Sequence, residues 1–265
     1  MTATLCAKVY SLVCITAGEA AIAAVEGLLH LPAAGLKAVV AECDAGQFVG
    51  TTAEQDLADP LKVTALALAH AQQVEGIFRQ TAVLPVAFGT VFSNQAAIAQ
   101  LLRNNRLAIV EFLSRVAGHE EWALKAVVDA KAGKQRFIEC AMAAAQVDWR
   151  TPPGARYFQE QALRRQAAGQ FQSVLGQSCR KLGEDLSAWC AGLGDRPLLP
   201  RDDGRQTMAS WSLLVSAKHR DELPARIAAL EPSLTDAQIA LELSGPWPAW
   251  SFVPRLDSAD AICTR

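Results

Sequence analysis

The segment SGPWPAWSFV, residues 244–253, follows an apolar alternation at residues 239–243 that predicts a β-strand. Its prolines remove two backbone hydrogen-bond donors, so the strand cannot continue there as the centre of a sheet. Large aromatic side chains favour burial strongly, and we expect this segment to pack on its own domain or on a partner. Both outcomes stay open, because aromatic residues serve cores and interfaces alike. The residues concerned are Pro246, Trp247, Pro248, Trp250 and Phe252.

The composition is that of a folded protein with a substantial core. Of the 265 residues, 51% are hydrophobic and 20% are charged, which argues against disorder and allows one large domain or two small ones. The formal net charge is only −2. We therefore expect no electrostatic attraction to nucleic acid or to an acidic membrane surface.

The cysteines indicate a reducing compartment. There are seven, an odd number, and no pair has the Cys-x-x-Cys spacing of a zinc site. We expect reduced, mostly buried thiols in a cytosolic protein. The residues after Met1 also lack the basic flank and long apolar run of a signal peptide. The cysteines are Cys6, Cys14, Cys43, Cys140, Cys179, Cys190 and Cys263.

Strand and helix signals alternate in the first part of the chain. An uncharged stretch at residues 80–102 is long enough to span a bilayer, but Pro85, Gly89 and several polar residues interrupt it. It is better explained by a buried strand followed by a helix that Ser93 caps. The predicted strands are residues 5–15, 36–43 and 83–92, with helical content at residues 17–29.

Two helix boundaries have clear local signals. Asp59 is a good N-cap, with Pro60 at the first helical position, for a helix that runs to about Arg79. Gly118 suits the left-handed position after the helix that Ser93 begins. The first domain is expected to be residues 1–118, of mixed α+β structure.

The second domain is expected to be residues 119–265. Residues 121–129 alternate in polarity, which predicts a half-buried strand. A helix of about residues 157–193, in one or two pieces, carries an apolar stripe from Phe171 to Leu193 at spacings of three and four. Strands at residues 208–217 and 239–243 flank a short helix at 222–230. This order predicts an α+β sandwich of ferredoxin-like type that ends in the Pro/Trp-rich tail.

No catalytic or cofactor-binding motif is recognisable. The four histidines form no metal-binding pair, and the cluster at His119 is more simply a solvated junction. Nucleophile-elbow, dinucleotide and phosphate-loop patterns are missing from the sequence. Cys179 and Cys190 lie on or near an apolar helix face, and the basic residues around Arg164 and Arg180 are interspersed with acidic ones. We expect no enzyme, no cofactor and no metal.

Four patches, in order along the chain, resemble the GvpL/GvpF family of gas vesicle proteins. The first and the last are the most specific. At three positions the residue differs from the family's usual one: Ala87 replaces a basic residue, Ala249 a proline and Trp250 a tyrosine. The patches are VLPVAFGTVF at residues 83–92, preceded by His70; EWALKA at 121–126; PGARYF at 153–158; and GPWPAWSFV at 245–253.

The resemblance implies a two-domain protein whose second domain is a modified ferredoxin-like unit. It implies a non-enzymatic accessory or minor structural protein of gas vesicle assembly, in the cytoplasm and at the vesicle. The implied partners are the major shell protein and other accessory proteins, with no nucleic acid and no membrane. The family-signature residues, which are possible partner contacts, are Pro85, Phe88, Gly89, Thr90, Phe92, Arg156, Tyr157, Gly245, Pro246, Trp247, Pro248, Trp250 and Phe252.

A second hypothesis is a small-molecule-binding or enzymatic α+β protein, because ferredoxin-like folds host many functions. Such a protein would hold convergent polar groups in one pocket. His70, His119 and Arg156 are the residues that this hypothesis would bring together.

Overall fold

The computed structural model describes residues 8–48, 58–145, 152–235, 238–257 and 261–263. Helices and strands are mixed, and every strand pair with a described register is antiparallel. The strands are β1 (Lys8–Ala17), β2 (Leu28–Ala33), β3 (Leu36–Asp44), β4 (Leu84–Pro85), β5 (Val91–Phe92), β6 (His119–Val128), β7 (Gly192–Asp195), β8 (Gln206–Ser216), β9 (Ile239–Trp247) and β10 (Ala261–Cys263). The helices are α1 (Pro60–Phe78), α2 (Gln95–Asn104), α3 (Arg106–Val116), α4 (Ala130–Ala144), α5 (Pro153–Ser187) and α6 (Leu223–Leu230).

The chain divides into two compact units. One consists of Met1–Glu120 and Trp247–Arg265, and the other of Glu121–Pro246. The residues after Pro246 group with the first unit, whereas the sequence-based division assigns them to the second domain. No helix within the described residues is long and apolar enough to cross a membrane.

The sheet of the first unit is built around β1. Its strand order is β10-β5-β1-β3-β2, and β4 also pairs with β1. Leu12, Val13, Cys14 and Ile15 of β1 are all fully buried, which explains the central position of this strand. The predicted strand at residues 5–15 is thus present from Lys8 onward, and residues 5–7 lie outside the described part of the chain.

The expected helix at residues 17–29 is wrong. Residues 18–27 form no helix, and β2 follows them. The Gly18 amide donates to the Gly35 carbonyl at 3.0 Å, and the Lys37 ammonium donates to the Ala20 carbonyl at 2.7 Å. Ile22 and Val25 pack against a core cluster. Long-range contacts therefore keep this alanine-rich segment out of a helix, against its local preference.

The predicted strand at residues 83–92 is split into β4 and β5. Both pair with β1, at Cys14 and Ile15 for β4 and at Tyr10 and Ser11 for β5. A turn separates the two strands, so the sequence predicts the location and burial of this segment but not its interruption.

Local capping signals set the helix boundaries of the first unit. The Asp59 side chain accepts a hydrogen bond from the Leu61 amide at 3.0 Å, so the start of α1 is confirmed. The cap of α2 is Asn94, which accepts from the Ala97 amide at 2.9 Å, and not Ser93. Asn105 then separates α2 from α3, where the sequence predicts one helix. Gly118 follows α3 with φ 68°, as expected for a left-handed helix end.

The second unit contains a four-stranded sheet in the order β7-β8-β6-β9. Strand β6 is buried at nearly every position, rather than half-buried as the alternation predicts. Even Glu121 is buried, where it accepts from the Ser212 hydroxyl at 2.8 Å and from Arg196 Nη1 at 3.2 Å. A buried carboxylate persists only with such partners.

Helix α5 provides most of the helical side of the second core. Its buried residues match the predicted stripe as far as Leu186, and the helix is unbroken from Pro153 to Ser187. It ends before Leu193, which the sequence places on the helix but which lies in β7. The sequence reading missed α4, which begins where the Asp129 side chain accepts from the amides of Lys131 and Ala132. The buried residues of α5 are Ala167, Phe171, Leu175, Cys179, Leu182 and Leu186.

Candidate functional site in the C-terminal tail

The tail after Pro246 belongs to the first unit, and its aromatic residues differ in their exposure to solvent. Trp247 is 40% exposed, whereas Pro248 and Ala249 are buried and Trp250 and Phe252 are partly buried. Trp250 packs against a core cluster that includes Val13, Val74 and Val83. One tryptophan therefore belongs to the core and the other faces the surface, a distinction that the sequence leaves open.

His70 lies next to residues of both the first signature segment, 83–92, and the last one, 245–253. It is the first buried residue of α1, and its Nε2 lies 2.8 Å from the Val86 carbonyl oxygen. The edge of its ring contacts Phe88 at 5.8 Å between centroids, and Trp250 lies at 6.5 Å. His70 thereby links α1, the segment between β4 and β5, and the tail. We call the set of His70, Val86, Phe88 and Trp250 the tail clasp.

The electrostatics of the tail clasp favour an uncharged imidazole. Burial lowers the pKa of His70 below its ordinary value of 6.5, against the opposing effect of the hydrogen bond to the Val86 carbonyl. Because a carbonyl oxygen can only accept, Nε2 carries the hydrogen and donates a hydrogen bond to the Val86 carbonyl. The arrangement is a neutral structural hydrogen bond enclosed by aromatic rings.

A tight turn presents Phe88 to His70. Both the Thr90 amide and the Thr90 hydroxyl donate to the Ala87 carbonyl, at 3.3 and 2.9 Å. Gly89 has φ 87°, the conformation that a type II turn requires at its third residue. Pro85, Gly89, Thr90 and Phe92 are buried in this segment, while Ala87 is exposed. These signature residues shape the turn and the core, and do not form a reactive cluster.

Two polar side chains that the sequence analysis missed hold the tail in place. Asn105 donates from Nδ2 to the Asp257 carbonyl at 3.0 Å and accepts from the Asp257 amide at 2.8 Å. Arg115 Nη2 donates to the Phe252 carbonyl at 2.8 Å. Further along, β10 pairs with β5. The available signal was Asn105 itself, a polar residue that interrupts an apolar helical pattern.

The remaining tail signature, Gly245 and Pro246, belongs to the second unit. Gly245 has φ 141°, and an added Cβ would lie 2.9 Å from the Trp122 ring and 3.0 Å from the Glu121 carbonyl oxygen. Only glycine allows this approach of the backbone to Trp122. Pro246 is exposed near the end of β9, an edge strand, which explains how the strand extends to Trp247 despite its proline.

Arg156 and Tyr157 lie in the first turns of α5. Arg156 is partly buried, and Tyr157 is exposed beside Phe158, with the two rings in edge contact at 5.8 Å between centroids. His119 sits at the start of β6, where its Nδ1 lies 3.0 Å from the Ala117 carbonyl oxygen. The residues proposed for a pocket, His70, His119 and Arg156, are thus on three different elements, and Arg156 belongs to the second unit.

The side chains of the described region give no sign of metal or thiolate chemistry. Within the described ranges, no group of three or more His, Cys, Asp or Glu residues could hold a metal ion. Burial raises the pKa of the Cys14 thiol to about 12 and that of Cys190 to about 11, so both thiols stay protonated near neutral pH. The free cysteines among the described side chains are Cys14, Cys43, Cys140, Cys179 and Cys190, and Cys6 and the side chain of Cys263 lie outside the description.

Comparison with known proteins gives a consistent result. The family described as "Gas vesicle synthesis protein GvpL/GvpF" matches residues 12–254. Gas vesicle protein L of Streptomyces sp. (strain CB03234) is 26% identical over 219 residues, which are 82% of this chain and 79% of that protein.

Two crystal structures of gas vesicle protein GvpF share the fold at low sequence identity. The protein from Anabaena sp. PCC7120 has a TM-score of 0.62 at 13% identity, over 94% of this chain and 96% of its own. That from Microcystis aeruginosa has a TM-score of 0.64 at 12% identity, over 94% of this chain and 100% of its own. The match along nearly the whole sequence shows that the chain belongs to the GvpL/GvpF family of gas vesicle synthesis proteins.

Proposed function

We propose that this chain is an accessory or minor structural protein of gas vesicle assembly. It acts through contacts with the major shell protein and with other gas vesicle proteins, in the cytoplasm and at the vesicle. Family membership and the name of the Streptomyces relative support this proposal.

The observation that carries the proposal is the first half of α1. Residues 60–69 are largely exposed although seven of the ten are Leu, Val or Ala, and Lys62 is their only charge. Leu61 is 82% exposed, and Leu66 and Leu68 are exposed as well. A helix that is apolar on every side is normally buried, and exposed apolar patches of about 300–600 Å² often mark interaction sites. This exposed half-helix suits a strongly apolar partner such as a shell subunit before assembly.

A binding experiment on the exposed half of α1 tests the proposal. The tagged major shell protein should retain the full chain in a pull-down, and Leu61→Gln with Leu68→Gln should remove most of that retention. These two positions are seven residues apart and share one helix face. The matched control is Leu198→Gln with Leu199→Gln, two exposed leucines of the second unit, which should bind like the unaltered chain.

Two results would count against the proposal in different ways. Undiminished binding by the Leu61/Leu68 variant would exclude α1 as the contact but leave the assembly role intact. No binding by the unaltered chain, together with normal vesicles in a deletion strain, would exclude the assembly role itself.

We also infer that the second unit is a modified ferredoxin-like domain. Its β-α-α-β-β-α-β order is the split βαβ pattern with one additional helix. In the sheet, β8 lies between β7 and β6, and β6 lies between β8 and β9, so each helical crossover skips one strand. Residues of α5 and α6 share one core cluster with Leu124 and Leu213 of the sheet. An experimental structure with α5 and α6 on opposite faces would contradict this inference.

A further inference from the structure

The first half of α5 projects an aromatic and basic surface. The buried stripe of this helix begins only at Ala167, so the turns before it contribute no buried residue. Tyr157 is 58% exposed and Phe158 is 70% exposed. Two adjacent aromatic side chains that remain this exposed are unusual, because burial of large aromatic rings contributes strongly to stability.

Helical geometry places two arginines beside the aromatic pair. At about 100° per residue, Tyr157, Phe158, Gln161, Arg164 and Arg165 fall within an arc of about 120°. We call these five residues the Tyr-Arg face. Glu160, the acidic residue nearest to them along the helix, falls outside this arc. Glu160 precedes Arg164 by one helical turn, but no salt bridge joins the two within the described part of the chain.

The charge around the Tyr-Arg face is opposite to that of the whole chain. Helix α4 and residues 153–166 of α5 carry six basic and two acidic residues, a local excess of four positive charges in a chain of net charge −2. Glu139 is already engaged, since it lies 3.6 Å from Arg136 and accepts from Gln135. Within the described ranges, neither Arg164 nor Arg165 forms a salt bridge.

We propose that the Tyr-Arg face binds an acidic segment of a partner protein. The guanidinium groups of Arg164 and Arg165 would each donate two parallel hydrogen bonds to a carboxylate, the geometry that arginine favours. Tyr157 and Phe158 would pack on apolar side chains of the same segment, since aromatic residues and arginine dominate interface hot spots. This surface is on a different element from the apolar half of α1, so the proposal stands whether or not the shell-protein contact is correct.

A protein partner is favoured over single-stranded nucleic acid, which aromatic and basic surfaces can also bind. Binding to a polyanion depends on many phosphate contacts and on a basic protein surface. This chain has a sequence pI near 6.1 and a formal net charge of −2, so it is not basic overall. A short acidic peptide needs only the few charges that this region supplies.

The test is a fluorescence anisotropy titration of the full chain. The probes are a labelled synthetic peptide of glutamate, leucine and alanine, and the same peptide with lysine in place of glutamate. We expect the acidic peptide to bind, more weakly as salt is added, and the lysine peptide to bind far less. Arg164→Gln with Arg165→Gln should weaken the binding about tenfold or more, as should Tyr157→Ala with Phe158→Ala.

The matched control removes the same charge further along the same helix. Arg180→Gln with Lys181→Gln loses two positive charges from exposed positions and should leave the dissociation constant unchanged. An equal loss in this control, or no binding of the acidic peptide to the unaltered chain, would overturn the proposal. Tighter binding of a labelled uridine oligonucleotide, lost in the same Arg164/Arg165 variant, would overturn it in favour of nucleic acid. All the substituted side chains are exposed, so an unchanged melting temperature confirms folding in each case.

Discussion

Helices α1 and α5 follow the same plan with different chemistry. In each helix the C-terminal part faces a core, beginning at His70 in α1 and at Ala167 in α5. In each the N-terminal part remains largely exposed. The exposed half of α1 is apolar with one lysine, whereas the exposed part of α5 combines two aromatic rings with three arginines. A protein with the proposed assembly role would thus offer two surfaces that select different partners.

The difference gives the two surfaces opposite responses to salt. Salts such as sulfate strengthen apolar association, whereas any added salt screens exposed charges over about 10 Å or less. A contact through α1 should therefore persist or strengthen in sulfate. A contact through the Tyr-Arg face should weaken.

The largest effect is expected in the buried halves of the two helices. Phe171→Ala in α5 should lower the free energy of unfolding by about 3–5 kcal/mol and Ile77→Ala in α1 by about 2–5 kcal/mol, because each leaves a cavity in its core. Urea unfolding followed by circular dichroism measures both losses. A decrease in the free energy of unfolding below about 1 kcal/mol would mean that these halves of the helices are not packed in a core.

The next largest effect concerns the point where α1 becomes buried. Trp250→Ala removes a partly buried ring from the tail clasp and should cost about 2–4 kcal/mol. The same change at Trp247, which is 40% exposed and is not part of a core cluster among the described residues, should cost less than the change at Trp250. Melting curves of the two variants side by side check this difference. Equal losses would contradict the division between a core and a surface tryptophan.

His70 should make stability depend on pH. Its folded pKa lies below the ordinary value of 6.5, so the unfolded chain takes up the proton more readily. The stabilising contribution of the neutral ring is complete above pH 6.5. It is lost as the pH falls from there through the lower pKa of the folded state. His70→Gln should cost about 1 kcal/mol at pH 8 through lost ring contacts, and should show a smaller decrease in stability between pH 7 and pH 5. A pH dependence identical to that of the unaltered chain would exclude His70 as its source.

The smallest effects are expected in the exposed halves. Leu61→Ala in α1 and Tyr157→Ala in α5 should each change the free energy of unfolding by no more than about 0.5 kcal/mol, because neither residue is part of a core. The same urea titrations measure this. A larger loss at either position would mean that the exposed half is covered, and would remove the basis for the corresponding contact.

Elements with local signals could be predicted from the sequence. The start of α1 follows from an aspartate cap before a proline, and the stripe of α5 follows from helical spacing that includes Phe171. The segment at residues 18–27 could not be predicted, because bonds to Gly35 and Lys37 override its alanine-rich composition. Such partners are distant in sequence and leave no periodic pattern.

The sequence marks the signature positions but does not predict the contacts that they make. The signature positions from Pro85 to Phe92 and from Gly245 to Phe252 could be selected from the sequence. Whether an aromatic residue enters a core or faces the surface depends on three-dimensional packing, so Trp247 and Trp250 were indistinguishable. The anchoring roles of Asn105 and Arg115 depend on backbone carbonyls of the tail, which carry no sequence identity at all.

The return of the tail also fixes an order of events during synthesis. The first unit needs Trp250 for its core and β10 for the edge of its sheet, and both leave the ribosome after all of Glu121–Pro246. The second unit is complete before these last residues are made. Because domains generally fold as units while the chain grows, the N-terminal residues must wait, partly formed, until the final ones arrive. A chain that stops before Trp250 would therefore leave its earliest-made part unfinished.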